Sequence, residues 1–137
     1  MAVLLDPSFV VAAADTADLH HRAAVAWLER VDEPLLVAAL SLAEADHVLQ
    51  RELGLTATLA LVEAIVDGSV GLVAPTPDDL RRAAELLAEA AEHRPRLADA
   101  CLVAAAERLA IRRIATFDRR PLAVFRPRHV RAFDLEP

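Results

Sequence analysis

With 137 residues, 55% of them hydrophobic, and a mean hydropathy of +0.32, the chain is long enough to bury one core and too short for two. It carries a net charge of -6 and no lysine, which excludes a Walker A phosphate loop, a pyridoxal Schiff base and a lysine-assisted phospho-aspartate site; its three glycines, Gly54, Gly68 and Gly71, exclude a glycine-rich dinucleotide loop. Charges recur too often for any run to approach the ~18 apolar residues of a membrane span, and the single Cys101, set within "DACLVAAAERLA", excludes an internal disulfide and reads as a core residue.

The charge is unevenly divided. Residues 1–93 hold 16 acids against 5 arginines, whereas residues 94–137 hold 5 acids against 10 arginines, a split that suits a face attractive to an anionic partner. The start "MAVLLDPS" meets an acid at position 6 and offers no basic region ahead of a long apolar stretch, so no signal peptide is expected and the cytoplasm is the expected compartment.

"AVLL" has the length of a buried strand and stops at "DPS", where Asp6 can cap a helix that accepts Pro7 at its first position. "DLHHRAAVAWLERV" predicts a helix capped by Asp18, with His20 and His21 in its first turn. Adjacent histidines point about 100° apart on a helix, which is poor geometry for a shared metal and favours a surface role. "PLLVAAL" predicts the next strand, and "SLAEADHVLQRELG" a helix capped by Ser41, with Glu44 completing the box and Gly54 as its stop. "TATLALVEAIVDG" repeats this grammar with Thr56 and Gly68.

"SVGLVAP" predicts a third strand, and "TPDDLRRAAELLAEAAEH" a long helix capped by Thr76 with Pro77 at its first position. After the break at "RPRL" come the helix "ADACLVAAAERLA" and two short strands, "RRIATF" and "VRAFDL". Strands alternating with helices imply crossover connections and a parallel sheet covered on both faces, within a single domain spanning 1–137.

Four acids fall at junctions of that pattern. Asp6 ends the first strand, Glu44 opens the helix after the second, Asp99 opens the helix before the fourth, and Asp118 ends the fourth. The carboxyl edge of a parallel sheet gathers strand ends and helix starts, which places three of them together; Asp99 needs tertiary packing to join them. Each acid taken singly also serves as a helix or turn cap. Together they adjoin apolar sequence that limits their solvation, in "VLLD", "LSLAE", "RLADACLV" and "IATFD", and converging carboxylates at about 4 Å repel by roughly 1 to 4 kcal/mol per pair. A hard divalent ion, Mg²⁺ or Mn²⁺, is the economical counter-charge. The five histidines show no zinc spacing, and His47, three residues after Glu44, is within reach of the site, with a helix-surface role favoured. Asp46 lies about 200° around the helix from Glu44, so the two cannot face one ion.

The order "LLDPS", "LSLAEADHVL", "LADACLVAAAERLAIRRIATFDRR" resembles a PIN domain and, within that superfamily, the VapC-type toxins of bacterial toxin and antitoxin pairs, over nearly the whole chain. The resemblance implies an α/β fold, a three-layer α/β/α sandwich with a central, mainly parallel sheet of four to five strands. It also implies a metal-dependent ribonuclease site in which Asp6, Glu44, Asp99 and Asp118 are the catalytic and metal-binding acids, with Mg²⁺ or Mn²⁺ as cofactor. Ser8 and Thr116 match the family's small hydroxyl residues, in an outer-shell or phosphate-binding role; Pro7 departs from the small residue usual between Asp6 and Ser8.

RNA as the substrate rests on the resemblance, as do a cognate antitoxin seated in a groove of the early helices and a homodimer formed by another face. Arg119 and Arg120 are the first candidates for RNA backbone contacts, with Arg112, Arg113, Arg126, Arg128 and Arg131 behind them. With four phenylalanines, one tryptophan and no tyrosine, a base-stacking platform is not expected. The alternatives are a stand-alone PIN nuclease of RNA processing, or an inactive PIN-like binding module whose acids only cap helices.

Overall fold

The three residues of β1 (Val3–Leu5) are all buried, and their side chains divide the molecule into its layers. Leu4 packs with Ala100, Leu102, Ile114 and Leu86 on one side, while Val3 and Leu5 pack with Phe9, Trp27, Ala45 and Leu49 on the other. A strand covered on both faces belongs in the middle of a parallel sheet. The computed structural model describes residues 1–137 and shows five strands in the order β3-β2-β1-β4-β5, every neighbouring pair parallel. The other strands are β2 (Leu35–Ala38), β3 (Gly71–Val73), β4 (Arg113–Ala115) and β5 (Asp134–Glu136). The sequence-based expectation of a three-layer sandwich is met.

One helical layer holds α1 (Pro7–Ala14), α2 (His21–Leu28), α3 (Ala39–Leu53) and α4 (Leu55–Val66); the other holds α5 (Pro77–Glu89) and α6 (Leu97–Arg108), with a 3₁₀ turn between them and the single turn α7 (Arg120–Ala123) after β4. No helix is long and apolar enough to cross a membrane.

Several boundaries follow the predicted chemistry. Asp6 caps α1 by accepting the Ser8 backbone N–H, with Pro7 at the first position. Thr76 and Asp79 form a reciprocal capping box at α5. Gly54 ends α3 at φ +83°, a conformation that favours glycine, and α4 starts in the next residue.

Other boundaries differ. β2 runs into α3 without a loop, with Ala38 already at the cap position, so Ser41 lies inside the helix and is buried; the expected Ser41–Glu44 box does not form, and Glu44 occupies the second turn rather than the first. Thr56 does not cap α4, because Gly54 has already turned the chain. Asp18 accepts the His20 N–H in a turn, and α2 begins only at His21.

The strand order reverses between β1 and β4. Such a reversal opens a crevice at the carboxyl ends of the strands, where the chain leaves the sheet in opposite directions. Pairing continues one residue past β1, since the Asp6 N–H donates to the Ala115 carbonyl at 3.0 Å, and this holds Asp6 against the end of β4.

Candidate active site and metal centre

At that crevice lies an open hollow of about 490 Å³ whose wall includes Asp6, Glu44, Asp99 and Asp118, the four acids singled out in the sequence. Asp6 follows directly on the end of β1, Asp118 stands in the loop three residues beyond the end of the adjacent strand β4, and Glu44 is on α3. Asp99 is in the first turn of α6, which begins beside the hollow and runs back toward the start of β4.

Asp6 is 7% exposed, and one of its oxygens is fully engaged. Oδ2 accepts the Ser8 N–H at 3.1 Å and the Ser8 hydroxyl at 2.6 Å, and lies 3.0 Å from the Thr116 hydroxyl. Ser8 Oγ in turn accepts the Phe117 N–H, and Thr116 Oγ1 accepts the Asp118 N–H. Two hydroxyls thus lock the strand ends together and fix the Asp6 rotamer. Oδ1 accepts no hydrogen bond from the protein and remains available to a ligand. Burial pushes the Asp6 carboxyl above its usual range, with the hydrogen bonds from Ser8 and Thr116 opposing and the Asp118 charge reinforcing.

Asp99 is 6% exposed, and its pKa is pushed up to about 6, first by burial and then by the charge of Glu44; Arg96 opposes the shift. Arg96 stands at the cap position of α6. Its Nη2 lies 2.9 Å from Glu44 Oε1 and its Nε 3.7 Å from Asp99 Oδ2, so one guanidinium bridges two of the four acids. Asp118 is more open and pairs with the exposed Arg120 at 3.3 Å.

The remaining sequence candidates fall unevenly. Arg120 reaches the site through Asp118, whereas Arg119 donates to the carbonyls of Leu135 and Pro137 and ties down the C-terminal strand. Arg113 pairs with Glu33 and Glu136, and Arg128 with Glu85, away from the hollow. Asp46 accepts from Gln50 and Thr58 on the far side of α3, as its helical angle requires. His47 lies exposed on the surface of α3 and lines the hollow one turn beyond Glu44.

Sequence reasoning missed Arg96 although it stands three residues before Asp99, a spacing that puts both on one side of a helix start. It also missed a set of stacked rings. His20 and Phe117 are parallel at 4.5 Å between centroids, and Phe117 and Phe9 at 5.8 Å.

The donors suit a hard divalent cation in kind, because all are carboxylate oxygens and two of them are buried with raised pKa values. As they stand, no three acids close around a common point. This is compatible with Mg²⁺, which takes one or two carboxylates and fills its octahedron with water and phosphate oxygens.

Residues 3–126 match the family model described as PIN domain. Over 125 residues, 91% of this chain and 93% of the relative, the sequence is 28% identical to Ribonuclease VapC26 of Mycobacterium tuberculosis. The crystal structure of M. tuberculosis VapC20, a sarcin-ricin loop cleaving toxin, superposes with a TM-score of 0.82 at 23% identity, covering 94% of this chain and 98% of that one. The crystal structure of VapBC2 from Rickettsia felis, bound to a DNA fragment from its promoter, gives a TM-score of 0.70 at 12% identity, covering 99% of this chain and 98% of that one. With the five-stranded parallel sheet and the acidic hollow at its switch point already established, the match over residues 3–126 means that this chain belongs to the PIN domain family.

Proposed function

We propose that this chain is a metal-dependent endoribonuclease of the VapC toxin type, which hydrolyses RNA phosphodiester bonds and is held inactive by a cognate antitoxin. The observation that carries the reading is the pair of buried carboxylates, Asp6 and Asp99, facing one open hollow with Glu44 and Asp118 in a PIN domain. Its support from relatives is the 28% identity to a protein named as a VapC ribonuclease.

Burying two carboxylates beside further acids is costly, and burial raises the pKa of both Asp6 and Asp99. Mg²⁺ or Mn²⁺ bound there would stabilise negative charge on the phosphate and make water more acidic. Asp6 Oδ1 and the Asp99 carboxylate would hold the ion, and Ser8 and Thr116 would keep Asp6 in its ligating rotamer. Glu44 and Asp118, less deeply set, would orient the attacking water and accept its proton as the water oxygen bonds to phosphorus and the opposite P–O bond breaks. Arg96 and Arg120, both exposed beside the acids, would meet the phosphate backbone.

The antitoxin reading has a surface to support it. Leu55, Leu59, Val62 and Val66 of α4 are exposed at helical spacing, an apolar stripe that suits a helical segment of a partner. A homodimer and a cytoplasmic setting complete the proposal.

The test is cleavage of RNA by the purified protein together with growth on induction. Asp6→Asn and Asp99→Asn should each abolish cleavage and relieve growth arrest while circular dichroism shows the fold retained, and chelation should stop the wild type. Cleavage that survives both substitutions, or survives chelation, rejects the reading.

A further inference from the structure

Two adjacent histidines open α2, and the structure separates their roles. His21 turns inward and its Nδ1 lies 2.8 Å from the Ala12 carbonyl, which joins α2 to α1. His20 turns the other way. It is exposed, lines the acidic hollow, and lays one face of its ring on Phe117 at an interplanar angle of 4°.

The stack continues into the core. Phe117 is parallel to Phe9 within 7°, and Phe9, only 1% exposed, meets Trp27 edge-on at 5.0 Å between centroids. His20 is therefore the outermost of three parallel rings whose innermost member is immobilised by packing. The turn beneath it is fixed as well, because the His20 N–H donates to Asp18 Oδ1 at 2.8 Å. An exposed ring held this firmly has already lost the rotamer freedom that binding would otherwise cost it.

The stack is also tied to the acids. The Phe117 N–H donates to the Ser8 hydroxyl that holds Asp6, and Asp118 is the next residue. A planar group lying on His20 would rest in the hollow that the four acids line.

We propose that His20 is a nucleobase-stacking platform, which takes one base of a single-stranded substrate beside the scissile phosphate. The inference rests on the nuclease reading and specifies how that site grips its substrate. A base is favoured over a protein side chain because Arg51 and Arg96 line the same hollow, where they can meet the flanking phosphates, and because aromatic faces accept any base without hydrogen-bond readout.

The experiment uses short single-stranded RNA carrying 2-aminopurine at successive positions. Binding is measured on Asp6→Asn protein, so that the oligomer stays intact, and cleavage on protein otherwise wild type; His20→Ala and His20→Phe are compared in both backgrounds. One position of the oligomer should be quenched on binding. His20→Ala should remove that quenching and weaken binding by about 5- to 150-fold, the range for loss of one stacked base. His20→Phe should restore both, since it keeps the face and loses only the nitrogens.

If His20→Ala binds and cleaves as the parent does, the platform is overturned while the nuclease reading stands. If His20→Phe is as impaired as His20→Ala, the imidazole nitrogens matter and stacking is overturned. If His20→Ala leaves RNA binding intact but loosens a co-expressed antitoxin, the ring belongs to the protein interface. RNA neither bound nor cleaved by any form overturns the nuclease reading itself.

Discussion

The guanidinium of Arg96, carried at the start of α6, lies 2.9 Å from the Glu44 carboxylate of α3 across the acidic hollow. It neutralises part of the charge that a divalent ion would neutralise, and being 65% exposed it can swing away at little cost. An exposed pair of this kind contributes about 0.2 to 1 kcal/mol. Arg96→Gln should therefore tighten Mn²⁺ binding by up to about fivefold by calorimetry. The same variant should bind RNA more weakly and with a shallower salt dependence, through loss of one phosphate contact. Unchanged Mn²⁺ affinity would show that the guanidinium does not compete for the site.

The raised pKa of Asp99 makes stability depend on pH. Folding lifts the carboxyl from 3.8 to about 6, so within that window the native state holds a proton that the unfolded chain has released. The contribution of Asp99 to the stability of the metal-free protein should then be greatest below the window and fall as pH rises through it. Asp99→Asn carries no charge to desolvate, and in chelator at pH 7 it should be more stable than wild type by up to about 3 kcal/mol. Chemical denaturation of both proteins at pH 4 and pH 7 checks the sign, since the gap should open only at the higher pH.

Metal binding should reverse that penalty. Millimolar Mg²⁺ or Mn²⁺ should raise the melting temperature of the wild type at pH 7, because an ion that binds only the native state stabilises it by an amount that grows with the logarithm of its concentration above Kd. Asp6→Asn and Asp99→Asn should lose most of the shift, whereas Asp46→Asn, on the far side of α3, should keep it.

The hydroxyls that hold Asp6 should matter to both fold and chemistry. Thr116 is 1% exposed, and Thr116→Val preserves its shape while removing a partner of Asp6 Oδ2 and of the Asp118 backbone. A buried polar group left unpaired costs about 1 to 3 kcal/mol, and a carboxylate freed to rotate should lose about 10- to 100-fold in metal affinity or activity. Ser8→Ala should behave alike, and the double variant should fall short of additivity because both hydroxyls serve one oxygen. Denaturation midpoints together with kcat/KM for the four proteins make the comparison.

Much of this molecule was legible in its sequence. The apolar runs "AVLL" and "PLLVAAL" and the caps at Asp6 and Thr76 announced alternating strands and helices, because burial and capping are local demands that local residues must meet. The same periodicity picked out Asp6, Glu44, Asp99 and Asp118, since each carboxylate interrupts apolar sequence at a junction. Where two local solutions competed, the sequence misled. Ser41 and Glu44 spell a capping box, yet β2 turns helical at Ala39, and packing of Ala45 and Leu49 against β1 sets the phase of α3.

What only the tertiary structure decided were the relationships across the chain: Arg96 facing Glu44, the Ser8 and Thr116 hydroxyls converging on one oxygen of Asp6, and His20 lying on Phe117. A residue's own neighbours determine whether it is helical or buried. Which distant residue meets it depends on the order and twist of the strands, and that order is settled by the packing of the whole core rather than by any segment alone.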